Sequence, residues 1–335
     1  MPPEAETAAP PAGAAAADAA GLIWYPHHRP GISRRKRGRG WSYVAPDGTR
    51  IDAAGERARI AALAVPPAYE DVWICPEARG HLQATGRDAA RRLQYRYHEE
   101  WTRRRSEVKF AALPEFGRAL PDVRAWIASG LRAAPGTEEF ATALVLRLID
   151  RASTRIGGGP DAVGRGATTL RAADVRVTGR RVKLDYRAKG GVRARKSLTD
   201  PALARALHRA ADLPGATLAV RLDEEGAPHP LRSEAVNARL ASLAGPGMTA
   251  KTFRTWNGTL AALEALLADE RAGIGAMTEA AALRLHNTPA VARRSYVHPA
   301  VIALAGGPPP GRRGAGPRDL AAAERVLMRV LHTGA

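Results

Sequence analysis

Five residues in the C-terminal two-thirds of the chain have side chains suited to covalent catalysis on an anionic group: Arg155, Lys189, Arg254, Asn287 and Tyr296. A tyrosine hydroxyl can act as a nucleophile, and arginine and asparagine donate hydrogen bonds to anionic oxygens. A lysine, with an ordinary pKa of about 10.4, holds a proton that it can donate. Taken singly, each also has a structural explanation: a surface arginine, a lysine in a solvated turn, a helix-capping asparagine or a core tyrosine.

The elements that must position these residues are predicted to be mostly helical. Thr137–Ile156 has apolar residues at helical spacing, and Gly157-Gly158-Gly159-Pro160 is predicted to stop that helix just after Arg155. Lys189 lies at the tip of a hairpin with Gly190-Gly191 as a two-residue turn. The strands predicted around it are 175–177, 181–187 and 192–197. Further helices are predicted over 201–211, 233–243, 250–269, 278–286, 289–296 and 318–331.

The N-terminal part is predicted to be a small, mostly β domain. A short helix over 56–63 is followed by strands over 71–75, 80–85 and 92–98. In the last strand, alternation puts Leu93, Tyr95 and Tyr97 on one face and Arg92, Gln94 and Arg96 on the other. The predicted fold class is therefore α+β, with a larger, mostly α catalytic domain that contains one three-stranded antiparallel sheet. The predicted domains are a disordered tail (1–20), an N-terminal domain (21–98), a catalytic domain (99–305), and a Gly/Pro linker with a final helix (306–335).

A basic segment without acidic residues precedes these strands. We predict that residues 21–46, a run of basic residues flanked by aromatic residues, form a loop. The run includes Arg34, Arg35 and Lys36, which we predict to contact phosphates without reading sequence. The competing interpretation is a solvated, charged loop.

The charge balance indicates a polyanionic partner. The chain has 335 residues, a net charge of +18 and 45% hydrophobic residues. Of its 51 basic residues only six are lysine, and arginine suits phosphate oxygens because it binds them bidentately. A bias toward GC-rich codons would also enrich arginine, but it would not explain the shortage of acids. With no apolar run near 18 residues, nucleic acid is favoured over a membrane.

Several other kinds of chemistry lack support in the sequence. Cys75 is the only cysteine, which excludes an internal disulfide and a cysteine-based zinc site. The glycine segment at 157–166 lacks the Gly-Lys-Ser/Thr ending of a P-loop, and neither an HExxH pair nor a Gly-x-Ser-x-Gly elbow is present. We therefore expect no cofactor or metal, and a cytoplasmic protein associated with the nucleoid.

The five residues, in their order along the chain, resemble the catalytic set of type IB DNA topoisomerases, in particular the short poxvirus-like enzymes of bacteria. They stand in Thr-Arg-Ile-Gly, Arg-Ala-Lys-Gly-Gly, Lys-Thr-Phe-Arg-Thr-Trp, His-Asn-Thr-Pro and Ser-Tyr-Val, and the last two are nine residues apart. Trp-Ile-Cys-Pro and Gln-Tyr-Arg-Tyr-His in the N-terminal part look like that group's DNA-clamp domain. The resemblance covers roughly residues 21 to 305.

The resemblance implies a role for each residue. Tyr296 would attack a DNA phosphodiester and become linked to the 3′ phosphate, without ATP or metal. Arg155, Arg254 and Asn287 would stabilise the transition state, and Lys189 would protonate the leaving 5′ oxygen. Many family members have histidine where this chain has Asn287. Asparagine can still donate a hydrogen bond, but a general-base role is excluded by its chemistry.

Further contacts with double-stranded DNA are implied for the clamp. Gln94, Tyr95 and Tyr97 match the segment that touches the major groove, although packing of the tyrosines in a small β core is an equal alternative. Lys251 is also predicted to bind DNA. The protein would be a monomer clamped around the duplex.

Two other functions are also compatible with this sequence. A tyrosine recombinase shares this chemistry, but it typically carries His-x-x-Arg at the second arginine, where this chain has Lys251-Thr-Phe-Arg254. A recombinase would also form a tetramer through a swapped C-terminal element, and the final helix is a candidate for one. A noncatalytic basic DNA-binding protein would fit the composition but gives Tyr296 no special role.

Overall fold

A computed structural model describes residues 12–158, 164–307, 311 and 315–333. The chain forms two compact units, the first ending at Val108 and the second beginning at Lys109. Helix α3 (Glu99–Ala111) crosses this boundary, whereas the predicted domain boundary at residue 98 lies just before the helix. None of the described helices is long and apolar enough to cross a membrane.

The first unit is built on a five-stranded antiparallel sheet. Its strands are β1 (Ile32–Arg37), β2 (Gly40–Val44), β3 (Glu70–Ile74), β4 (Leu82–Arg87) and β5 (Leu93–Tyr97), in the order β2-β1-β3-β4-β5. Helix α2 (Ala54–Ala62) packs Ile60 with Ile32, Val72 and Ile74 in a small core. The predicted strands after residue 70 are confirmed, with ends that differ by up to two residues.

Two predictions for the N-terminal segment are wrong. The basic segment predicted as a loop contains the β1–β2 hairpin, in which Lys36 pairs with Trp41 and Arg34 with Tyr43. Charged residues obscure the apolar alternation that identifies a strand. Residues 1–11 of the predicted disordered tail lie outside the described residues, but Ala12–Asp18 form helix α1, with Ala17 buried beside Leu22 and Trp101.

The second unit is a helical bundle around one extensive hydrophobic core. Its helices are α4 (Leu113–Gly130), α5 (Glu138–Ala152), α6 (Pro201–Ala211), α7 (Ser233–Ala244), α8 (Ala250–Ala268), α9 (Ile274–Leu285), α10 (Pro289–Tyr296), α11 (Pro299–Ile302) and α12 (Ala322–Thr333). Helix α8 is buried over most of its surface, and its Phe253 and Trp256 pack edge-on against Phe116 of α4. This central helix also carries Arg254, so the core positions it directly.

A three-stranded antiparallel sheet completes the second unit. It consists of β6 (Val175–Thr178), β7 (Arg181–Arg187) and β8 (Arg193–Thr199), and the α+β class is thereby confirmed. The other two strands, β9 (Val220–Leu222) and β10 (Pro228–Pro230), form a separate ribbon. The two-residue turn predicted at Gly190-Gly191 is wrong, because Ala188 N donates to Val192 O at 2.8 Å and encloses a three-residue loop. Both glycines have positive φ, which explains why glycine stands there.

The C-terminal helix packs into the same unit. Half of the predicted Gly/Pro linker at 306–317 lies outside the described residues, and the final helix begins at Ala322, later than predicted. Apolar residues of α12, among them Leu327 and Met328, are buried in the core of the second unit. Glu324 accepts hydrogen bonds from Arg124, which also binds Asp150 of α5. This buried network ties α12 to the end of the helix that precedes Arg155.

Candidate active site

Arg155 is positioned by an abrupt end to α5. The helix stops at Ala152 and Ser153 adopts a left-handed conformation, so the predicted stop at the glycine segment comes four residues too late. The amide of Asn257 on α8 donates to the carbonyls of Ile149 and Asp150 and to Ser153 Oγ. These bonds satisfy the last carbonyls of the helix and turn the chain toward the site.

The residues after Arg155 pass close to the base of the β7–β8 hairpin. Ala167 N donates to the Arg155 carbonyl at 2.8 Å, and Arg165 N donates to the Arg187 carbonyl at 2.7 Å. A Cβ atom on Gly166 would lie 2.6 Å from the Arg155 carbonyl oxygen. Glycine therefore permits a close backbone approach here, a function that the sequence pattern did not indicate.

Arg254 is the most deeply buried cation of the site, at 4% exposure. Its guanidinium donates to the Ser153 carbonyl and, at 2.9 Å, to the Leu285 carbonyl. Its Nε is buried with no hydrogen-bond partner among the described residues. Burial lowers the pKa of Arg254, and the two carbonyls fix its orientation.

Asn287 follows a helix-terminating turn at the end of α9. His286 has a positive φ of 48°, and Asn287 N donates back to the Ala282 carbonyl at 3.0 Å, as in a Schellman motif. The side-chain oxygen of Asn287 accepts a hydrogen bond of 2.8 Å from Arg155 Nη2. Its Nδ2 is buried and has no partner in the described part of the chain.

Tyr296 is the last residue of α10, which begins with a Thr288 side-chain cap and Pro289. It is 6% exposed, and its hydroxyl lies 3.5 Å from Arg155 Nη1. The guanidinium carbon of Arg254 lies 5.2 Å from the centre of its ring. The backbone is held by Thr259 Oγ1, which donates to the Tyr296 carbonyl at 3.0 Å.

The surrounding cations lower the pKa of the Tyr296 hydroxyl. Burial alone would raise this pKa, but the charges of Arg254, Arg155 and Lys251 lower it by more. Each positive charge favours the phenolate over the neutral hydroxyl. The site thus favours the nucleophilic form of the tyrosine.

The structure therefore brings four of the five candidate residues together. The exception is Lys189, which is exposed in the hairpin loop and forms no hydrogen bond with the other four. Lys251 is also exposed, one turn before Arg254 on α8, and acts on Tyr296 through its charge.

The predicted phosphate contacts on the β1–β2 hairpin differ in their surroundings. Arg34 lies with its guanidinium 4.1 Å from the centre of the Trp41 ring and donates to the carbonyls of Val65, Pro66 and Tyr69. These internal contacts occupy Arg34, which leaves Arg35 and Lys36, both exposed, as the accessible cations.

The β5 residues predicted to contact DNA are largely on the surface. Tyr95 and Tyr97 are 46% and 45% exposed, with stacked rings whose centres lie 6.0 Å apart. This degree of exposure disfavours the alternative in which both tyrosines fill a β core. Gln94 is half-buried, and its amide donates to Asp88 at 3.0 Å.

Two residues near the site were missed in the sequence. Lys109 Nζ donates to the Ser295 carbonyl at 3.0 Å, and Lys196 Nζ donates to the Arg284 carbonyl. Burial, together with the charge of Lys251 for Lys109 and of Arg254 for Lys196, lowers the pKa of each lysine to about 8. The scarcity of lysine in an arginine-rich chain was the available signal.

Across the described residues, no group of three or more His, Cys, Asp or Glu side chains is arranged to hold a metal ion.

Comparisons with known proteins agree with the geometry. Residues 40–88 match the sequence model of the bacterial DNA topoisomerase IB N-terminal domain. Residues 98–293 match that of the eukaryotic DNA topoisomerase I catalytic core, a match that ends three residues before Tyr296. The chain is 25% identical over 291 residues to DNA topoisomerase 1B of Acanthamoeba polyphaga mimivirus. This alignment covers 81% of this chain and 86% of the viral protein. The chain belongs to the type IB DNA topoisomerase family.

Proposed function

We propose that this topoisomerase relaxes supercoiled DNA through transient cleavage of one strand by Tyr296, with neither ATP nor a metal ion. The observation that carries the proposal is the placement of Tyr296, whose hydroxyl lies 3.5 Å from Arg155 Nη1 and whose ring centre lies 5.2 Å from the guanidinium carbon of Arg254. The tyrosine oxygen would bond to phosphorus while the bond to the 5′ oxygen breaks. The resulting 3′-phosphotyrosyl bond conserves the energy needed for religation.

Unpaired donors support a role for the site in stabilising the transition state. Arg254 Nε and Asn287 Nδ2 are buried without partners among the described residues. A buried, unsatisfied donor is costly in a folded protein, and a phosphate oxygen would satisfy both. Arg155 already orients the Asn287 amide, so these donors are preorganised for the negative charge that develops on the nonbridging oxygens.

Lys189 is the proposed proton donor to the leaving 5′ oxygen. Its three-residue loop is exposed, and the backbone bond from Arg165 to Arg187 holds the base of the hairpin next to the segment after Arg155. An exposed tip on a fixed base can reach a leaving group once DNA is bound. The lysine gives its proton to the 5′ oxygen, while the hydroxyl proton of Tyr296 passes to solvent.

Double-stranded DNA is the proposed substrate, held by a monomer. Arg35 and Lys36 would contact phosphates, whereas Tyr95 and Tyr97 present exposed rings to the groove. Helix α12 packs in its own chain through Glu324 and Arg124. This arrangement favours a monomeric topoisomerase over a recombinase that exchanges its C-terminal element.

The test is plasmid relaxation in EDTA without ATP, by the wild-type protein and by Tyr296→Phe. Relaxation by the wild type alone, with an SDS-stable protein–DNA adduct at Tyr296, is the expected result. Activity that survives in Tyr296→Phe, or that requires a metal ion, would contradict the proposed mechanism.

A further inference from the structure

Lys109 and Lys196 are two half-buried lysines that the catalytic scheme does not use. In the part of the chain that the structure describes, neither forms an ion pair, and the hydrogen bond of each is to a backbone carbonyl. Their charged neighbours include other cations, Lys251 for Lys109 and both Arg254 and Arg284 for Lys196. Burying a cation in such surroundings is unfavourable, so both positions require a compensating role.

The two carbonyls that they bind have corresponding positions. Ser295 lies in the last turn of α10 and directly precedes Tyr296. Arg284 lies in the last turn of α9, three residues before Asn287. Carbonyls at a helix C-terminus lack intrahelical partners and form the negative end of the helix dipole. A lysine bound there stabilises the helix end and fixes the residue that follows it.

Each of the two lysines lies far in the sequence from the helix whose carbonyl it binds. Lys109 belongs to the last turn of α3, 186 residues before Ser295, and Lys196 lies in β8, 88 residues before Arg284. Arg254 binds the neighbouring Leu285 carbonyl in the same way. The C-terminal end of α10 is thus bound to α3, and that of α9 is bound to β8.

We propose that Lys109 and Lys196 are positioning residues, which hold the C-terminal ends of α10 and α9 and thereby place Tyr296 and Asn287 for attack on phosphorus. The proposal rests on the catalytic roles proposed above for those two residues. A displacement of about 1 Å in a reacting group can cost roughly 100-fold in rate. We call these two lysines the anchors. Loss of either anchor therefore slows the chemical step without weakening DNA binding.

The experiment compares Lys109→Met and Lys196→Met with the wild type, using a duplex whose cleavage site has been mapped with the wild-type enzyme. Adduct formation is followed in a single turnover at saturating DNA, and DNA affinity is measured separately by fluorescence anisotropy. Methionine keeps the length of the side chain but cannot donate. Lys183→Met is the matched control, because Lys183 is an exposed lysine of β7 whose side chain forms no hydrogen bond with any described residue.

Each anchor variant is expected to form adduct about 10- to 100-fold more slowly, the usual effect of losing a charged hydrogen bond, with unchanged DNA affinity. The control should match the wild type. An unchanged rate in the anchor variants would overturn the proposal, and so would weaker DNA binding with an unchanged saturated rate, since that result would make the lysines phosphate contacts.

Two further outcomes are distinguishable. If a methionine variant loses its thermal unfolding transition, the arginine variant at the same position is used, because a guanidinium still donates. A rate near that of the wild type then supports the proposal, and one as low as that of Tyr296→Phe overturns it. If the wild type itself forms no adduct, the proposed function fails, whereas wild-type adduct with unaffected methionine variants defeats the inference alone.

Discussion

Arg155 Nη2 donates to the side-chain oxygen of Asn287 at 2.8 Å, and this contact determines which way the amide faces. With its oxygen occupied, Asn287 presents Nδ2, which is buried and unpaired among the described residues. The asparagine is therefore oriented as a donor, and the role proposed for it does not depend on accepting or releasing a proton.

Asn287→Asp should be much more damaging than Asn287→His. Aspartate keeps the size and the acceptor toward Arg155, but it replaces the free donor with a negative charge that repels phosphate. Histidine restores a donor. We expect adduct formation at saturating DNA to fall by at least about 100-fold for aspartate and by about tenfold or less for histidine. Equal rates for the two variants in a single-turnover assay would contradict this role.

Lys189→Ala should slow cleavage in a way that depends on the leaving group. A normal 5′ oxygen needs a proton as it departs, whereas a 5′ sulfur leaves without one. We expect a loss of about 100-fold or more on ordinary DNA and little loss on DNA with a bridging 5′-thio group. The same loss on both substrates would show that Lys189 is not the general acid.

Lys251→Met should shift the pH dependence of the cleavage rate to higher pH. The charge of Lys251 helps to lower the pKa of Tyr296, after the larger effects of burial, Arg254 and Arg155. Removal of this cation disfavours the phenolate and raises that pKa. In the wild type, the single-turnover rate should reach its plateau below the ordinary tyrosine pKa of about 10.

In Lys251→Met, the cleavage rate should begin to rise at a higher pH than in the wild type, while the rate at the plateau is unchanged. Lys183→Met, which removes an exposed lysine from β7, provides the control for the loss of one charge. A profile that keeps its midpoint but drops at every pH would indicate that Lys251 acts by binding DNA.

Most helices of the second unit were predictable because local signals agree with tertiary packing. Asp200-Pro201 and Thr288-Pro289 combine a side-chain cap with proline at the first helical position, and α6 and α10 begin where these pairs indicate. The order and type of Arg155, Arg254, Asn287 and Tyr296 were likewise sufficient to select a cluster that the structure brings together.

Features that depend on long-range contacts were not predictable in this way. The β1–β2 hairpin was missed because its strand residues are charged, and Arg34 is held by carbonyls more than 30 residues away in the sequence. The hydrogen bonds of Lys109 and Lys196 link segments 186 and 88 residues apart. No local sequence pattern predicts hydrogen bonds between segments so far apart in the chain.

Gly166→Ala should impair cleavage although Gly166 has no functional group. Its φ of −150° is accessible to alanine, so the effect arises from space alone. The added Cβ would lie 2.6 Å from the Arg155 carbonyl oxygen, and backbone atoms cannot give way as a flexible side chain does. The segment must shift, and with it the guanidinium that contacts both Tyr296 and Asn287. We expect a fall of about tenfold or more in the saturated rate of adduct formation.

Gly275→Ala on α9 is the control, because a Cβ there meets nothing within 4 Å, and its rate should equal that of the wild type. Wild-type cleavage by Gly166→Ala would show that the position of Arg155 does not depend on this close backbone approach.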